Sequence, residues 1–160
     1  MGDRIAVLNG GILEQVDSPY NIYNKPKNVF VATFMGANPM NIVEANVGDD
    51  FISFGNIVFS ASSLPYDLTN KKKVLLGVRS ENIADINNPN YHFNSIKFSS
   101  KITFEENLGS FKNVYFKIQN SEFCATLNSD SNTKETMEFS INPRDIHVFD
   151  FETKERLEQI

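Results

Sequence analysis

Apolar positions along the chain change period near residue 36. Ile5 and Val7 lie in a short apolar run, Asn9-Gly10-Gly11 interrupts it, and Ile12-Leu13-Glu14-Gln15-Val16 resumes it. An Asn-Gly pair supplies the positive φ angles of a two-residue turn, so this spacing predicts a hairpin. Asp17 or Ser18 then caps a short helix, with Pro19 in its first turn, where a missing N–H costs nothing. Lys25-Pro26 ends that helix, because the residue before a proline is pushed out of the helical region. A second short helix follows, with Asn28 as cap, Val29, Phe30, Thr33 and Phe34 at helical spacing, and Gly36 as its C′ residue.

Beyond Asn38-Pro39-Met40-Asn41, a linker-like break, the period is two. Val43, Ala45 and Val47 alternate with Glu44 and Asn46; Gly48-Asp49-Asp50 is a turn; Phe51 to Phe54 and Ile57 to Phe59 flank Gly55-Asn56. Val74 to Val78 is continuously apolar and reads as a strand buried on both faces, and Asn87 to Asn90, with Pro89, reads as a loop. Ile102 and Phe104 are placed on one face. Val114, Phe116 and Ile118, then Phe123, Ala125 and Leu127, then Met137, Phe139 and Ile141 alternate with polar neighbours, Ser129 to Thr133 is a polar loop, and Ile146 and Val148 form a last short strand. Many short strands at this spacing predict a small closed or partly closed barrel, mainly β, whose closure buries sheet edges.

Composition narrows the function. The 160 residues are 41% hydrophobic and 22% charged, enough apolar side chain to build a core and too little charge for a disordered chain. Fifteen Lys and Arg against twenty Asp and Glu leave a net charge of −5, which opposes non-specific binding to nucleic acid even though fourteen Phe would suit base stacking. Lys71-Lys72-Lys73 reads as a solvated loop. The lone Cys124 lies in an apolar stretch and reads as a buried core thiol, since neither His92 nor His147 has a context that points to it. No secretory leader and no apolar run near about 18 residues is present, which predicts a reducing cytosolic setting without membrane insertion.

The chemistry-bearing patterns are absent. There is no G-x-x-x-x-G-K-[ST] phosphate cradle, no His or Cys pairing at zinc spacing, and no G-x-S-x-G elbow. Glu105 and Glu106 are adjacent on a strand and point to opposite faces, so they make a poor acid–base pair. Asp49-Asp50 lie in a turn that favours Asp for backbone reasons. The chain reads as a non-enzyme with no cofactor and no metal site.

Several segments, in order, resemble one family. Gly2-Asp3-Arg4-Ile5-Ala6-Val7-Leu8-Asn9-Gly10-Gly11, Gln15-Val16-Asp17-Ser18-Pro19, Tyr23-Asn24-Lys25-Pro26 and Phe30-Val31-Ala32-Thr33-Phe34-Met35-Gly36 resemble the end of the nucleotide-binding domain in carbohydrate-importer ABC ATPases of the maltose type. Pro39-Met40-Asn41, Leu76-Gly77-Val78-Arg79-Ser80-Glu81-Asn82-Ile83, Glu106-Asn107-Leu108-Gly109-Ser110 and Asp145-Ile146-His147-Val148-Phe149-Asp150 with Thr153 resemble that family's C-terminal domain. The chain departs from the pattern at Asp17 (Gly is usual), Ser80 (Pro), Phe111 (an acid) and Lys154 (Gly), which puts loop details in doubt.

The resemblance implies a fragment that lacks every ATP-handling motif, with Met1 as an expression start. Residues 1–36 would be the tail of the ATPase domain, a hairpin-plus-helix remnant. Residues 37–160 would be a transport-associated (TOBE), OB-fold/MOP-like regulatory barrel. It further implies a homodimer through the C-terminal domain, permease subunits as partners of the parent, a regulatory protein as a possible further partner, ATP and Mg in the parent only, and a location at the cytoplasmic face of the membrane. The candidate contact residues are Arg79, Glu81, Leu108, Gly109, Ser110, Arg144, His147 and Phe149. Arg79 and Glu81 read either as local ion pairs in a structural turn, at most about 1 kcal/mol if exposed, or as an inter-subunit contact. The Leu108-Gly109-Ser110 loop reads as backbone geometry at Gly109 or as a dimer contact, His147 as a hydrogen-bonded structural residue, and Phe149 as core. The stripe Val29, Phe30, Phe34, Met35 would pack on the ATPase domain or the linker. The alternative function is a barrel that senses a small oxyanion or sugar metabolite, with Arg79 and Arg144 as the obvious anion partners; a third reading is a single-strand nucleic-acid barrel.

Overall fold

A computed structural model describes residues 2–87 and 94–160. The loop placed at Asn87 to Asn90 falls beyond Asn87 outside the described residues, as does His92. The chain runs through β1 (Ile5–Asn9), β2 (Ile12–Asp17), α1 (Pro19–Asn24), α2 (Val29–Phe34), β3 (Asn41–Val47), β4 (Phe51–Phe54), β5 (Ile57–Ser60) and β6 (Lys73–Val78). It continues through β7 (Ile83–Asp85), β8 (Ile96–Asn107), β9 (Phe111–Ile118), β10 (Ser121–Asn128), β11 (Thr136–Ile141) and β12 (His147–Asp150). The architecture is mainly β, an OB-like small β domain. One antiparallel sheet has the order β12-β6-β3-β4-β5, the other β10-β9-β8-β11-β7, and β1-β2 is a separate hairpin.

The N-terminal elements form as their sequence dictates. Asn9 pairs with Ile12, so the loop is Gly10-Gly11, and the positive φ angles sit on those two glycines, 55° and 83°, rather than on Asn9. Ser18 Oγ accepts from Asn21 N at 3.2 Å and Asn28 Oδ1 from Val31 N at 3.0 Å, so each helix has its N-cap. Six-residue helices are below the length that holds a helix in water, so packing must hold them. Val7, Ile22 and Val31 form one small cluster with Ile5, Phe30 and Met35 around them. Ala32, Met40 and Phe149 form another, with Val29, Ile42 and Leu75 against it, and this one joins α2 to the outer face of β6 and β12.

The main core lies between the two sheets. Val43, Ala45, Val74, Leu76 and Val148 from one sheet meet Val114, Phe116, Phe123, Ala125, Phe139 and Ile141 from the other. The Phe116 and Phe139 rings stack at 4.5 Å, with Phe98 and Phe123 tilted beside them, so these four phenylalanines fill the interior. β6 is buried on both faces as expected, with the main core on one side and the α2 cluster on the other.

Three features depart from the sequence reading. β8 is a twelve-residue strand, not a short one. Its first part pairs with β11 and its last part with β9, and the register slips between Ile102 and Phe104. That bulge puts Ile102 opposite Phe116 on the core face and Phe104 opposite Tyr115 on the outer face, so the two do not share a face. Single 3₁₀ turns at Ala61–Ser63, Ser80–Asn82 and Pro143–Asp145, and the three-residue β7, escape any periodicity. Lys71-Lys72-Lys73 is not a free loop: Lys71 is paired with Asp150, and Lys73 opens β6 and reaches Glu44 at 2.6 Å. After β12 the chain turns back along it, Asp150 N and Leu157 N donating to Glu155 O and Val148 O at 2.8 Å each, which covers that sheet edge. No helix among the described residues is long and apolar enough to cross a membrane.

Candidate functional site

Three of the motif segments meet where the N-terminal helices lie on the end of β6. Arg79, the first residue after β6, is 3% exposed. Its Nη1 donates to Ala32 O at 2.8 Å and Met35 O at 2.7 Å, and its Nη2 donates to Tyr23 O at 2.9 Å. Ala32 and Met35 lie in the last turn and C-cap of α2, and Tyr23 lies in the last turn of α1. These carbonyls belong to the set a helix leaves without an intrahelical partner. One guanidinium therefore caps the C-termini of both helices, where the dipole also favours a cation. The group lies over the Tyr23 ring at 4.0 Å, and the Tyr23 hydroxyl donates to Glu81. Burial, that hydrogen bond and the Glu81 charge push the Tyr23 hydroxyl up to about 12. Arg79 and Glu81 are thus linked through Tyr23, not as a direct ion pair. Gly36 closes the site: with φ 108°, a Cβ there would stand 3.0 Å from the Tyr23 ring and 3.5 Å from Arg79 Nη1.

Beside it is a polar network that ties both sheets to the segment read as a linker. Asn38 Nδ2 donates to Asn113 Oδ1 at 3.2 Å and lies within 3.3 Å of Ser80 Oγ and Thr126 Oγ1. Thr126 Oγ1 donates to Asn113 Oδ1 at 2.9 Å, and Asn113 Nδ2 reaches Glu106 at 3.4 Å. Asn41, 5% exposed, does more: its Nδ2 donates to Val78 O at 3.1 Å and Cys124 O at 3.0 Å, and its Oδ1 accepts from Cys124 N at 2.7 Å. A side-chain amide here replaces the backbone ladder that β3 and β10 lack. Cys124 itself is buried, and burial pushes its thiol up to about 11.

Phe149 is fully buried under α2, a core residue that offers no surface to a partner; Arg79 is buried likewise. His147 is half-buried, and burial, then Arg79 and Arg156, push its imidazole down to about 4. Arg144 is exposed on the last 3₁₀ turn. Leu108, Gly109 and Ser110 are exposed at the tip between β8 and β9, with Gly109 at φ 95°. Around them stand Phe104 and Phe111, 60% and 38% exposed, with the Phe104 ring 5.7 Å from Tyr115. Lys112 anchors this tip from inside through Glu105 at 3.2 Å and Ser131 O at 2.8 Å. Of the Val29, Phe30, Phe34, Met35 stripe, only Phe34 remains largely exposed.

Sequence reasoning missed Tyr23, Asn38, Asn41 and Asn113 as site residues. Tyr23 carried a signal in the Tyr-x-x-Pro segment. The three asparagines did not, since Asn is an ordinary loop or strand-end residue and its burial depends on the fold.

The chain matches no family model. It is 34% identical over 164 residues to the trehalose/maltose import ATP-binding protein MalK of Thermococcus litoralis, covering 94% of this chain and 43% of that protein. It is 32% identical over 168 residues to the oligosaccharides import ATP-binding protein MsmX of Bacillus subtilis, covering 98% of this chain and 45% of that protein. The chain thus spans less than half the length of these relatives. Among solved structures, the cytoplasmic molybdate-binding protein ModG, with molybdate bound, aligns at TM-score 0.46 and 13% identity over 68% of this chain and 94% of its own, a likeness that assigns no ligand here.

Proposed function

Starting from the homology of this chain to the ATP-binding subunits of sugar-importing ABC transporters, we propose that it is the regulatory and dimerisation part of such a subunit, without catalysis of its own. The observation that carries the reading is that similarity to ATP-binding subunits of sugar importers runs through nearly the whole chain but covers less than half of their length. A phosphate loop of the G-x-x-x-x-G-K-[ST] type cradles a triphosphate on free backbone N–H groups at a helix start with a lysine beside them. Both helices here have six residues, and each N-terminus is occupied by its own Ser18 or Asn28. ATP and Mg would bind elsewhere in the subunit.

On this reading residues 1–36 continue the ATPase domain and 37–160 form the regulatory barrel. The exposed Leu8, Ile12, Leu13 and Phe34 would be covered by the rest of the subunit, since apolar patches of this kind seek a partner surface. The Phe104, Leu108, Phe111 tip would meet a second copy, with Glu81 and Arg144 as further candidate contacts. Permease subunits, and a regulatory protein, would be partners of the assembled transporter at the cytoplasmic face of the membrane. The anion-sensing alternative gains no support from Arg79, whose terminal nitrogens are already engaged with carbonyls.

Light scattering on the eluting chain tests the dimer. Across micromolar concentrations the expected mass is twice the 18.1 kDa of one chain. A mass of one chain throughout that range would contradict it.

A further inference from the structure

We infer that Arg79 is a strap that makes α1 and α2 conditional on the barrel, so that the two helices form and open together as one unit hung from the end of β6. Neither helix has the length to stand alone, and neither carries a basic residue of its own in its last turn. The missing cation comes instead from 44 to 56 positions away in sequence, on the barrel. Its fork spans three carbonyls, one on α1 and two on α2, which a lysine ammonium on a single stem cannot reproduce. The Tyr23 ring covers the guanidinium, its hydroxyl is held by Glu81 two residues along the barrel chain, and Gly36 packs so near that a Cβ there would stand 3.0 Å from the Tyr23 ring. Tyr23 and Gly36 belong to the N-terminal segment, Arg79 and Glu81 to the barrel, so the strap crosses the junction in both directions.

Arg79 is a positioning residue in this account, and its signature is local. In hydrogen exchange on the whole chain, Arg79→Lys should speed exchange of the Ile22, Lys25, Ala32 and Met35 amides together by about tenfold or more, the size expected when hydrogen bonds from a buried charge are lost. The amides of β9 and β10 should stay as slow as in the parent chain. Tyr23→Phe removes only the hydroxyl held by Glu81, leaves Arg79 in place, and should speed the same four amides by a smaller factor. The idea fails if the helical amides are unchanged in both variants, if α1 opens without α2, or if every amide in the chain accelerates alike.

Discussion

His147 is the residue whose environment makes the clearest solution prediction. Its ordinary value of 6.5 falls to about 4 because burial, Arg79 and Arg156 all oppose a charge on the ring. The folded chain keeps the imidazole neutral while the unfolded chain takes up a proton below about pH 6.5. The stabilisation is therefore whole above that value and is lost progressively as pH falls toward 4. Urea midpoints should drop from pH 7 to pH 5 in the parent chain, and His147→Gln should flatten that part of the curve; equal slopes would refute the burial argument. At this scale the sequence showed residue types more readily than roles. Phe149 as core and Cys124 as a buried thiol were readable from apolar context. Arg79 left both a structural and an interface reading open, because nothing local tells that its partners are carbonyls far away in the chain. Asn41 was passed over as part of a linker, since a buried amide is recognisable only once the two strands it bridges are known.

The elements divide by whether their cause is local. The Gly10-Gly11 turn, the Ser18 and Asn28 caps and the two-residue alternation of β3, β9, β10 and β11 are local, and each was legible. β8 was not, because its bulge answers two different partners and resets which face each residue takes. The short β7 and the 3₁₀ turns have too few residues to show a period. β6 illustrates how tightly an element buried on both faces is held. At Gly77 a Cβ would lie 2.5 Å from Met40 Sδ and 2.9 Å from the Phe149 ring, so these two side chains pack onto the strand in the space a side chain at 77 would take. Gly77→Ala should cost about 1–3 kcal/mol, read as a lower denaturant midpoint at unchanged slope, since overpacking forces neighbours off their rotamers. An unchanged midpoint would mean that the cluster yields freely.

For the whole molecule, two groups of exposed apolar side chains among the described residues enter the proposed assembly. One, on the N-terminal hairpin and α2, would be covered by the remainder of the proposed subunit. The other, at the β8–β9 tip, would meet a second copy in the proposed dimer, and two copies of one chain meet most simply about a two-fold axis that sets the same patch against itself. In the proposed dimer the tip would approach its own mate, which a single cysteine can report. Cys124 will not interfere, being buried with its thiol pushed up to about 11. Under mild oxidation Leu108→Cys should give a covalent dimer in high yield, while Val58→Cys, 65% exposed on the edge strand β5, should not. Equal yields from the two positions, or none from Leu108→Cys, would contradict dimerisation through this surface.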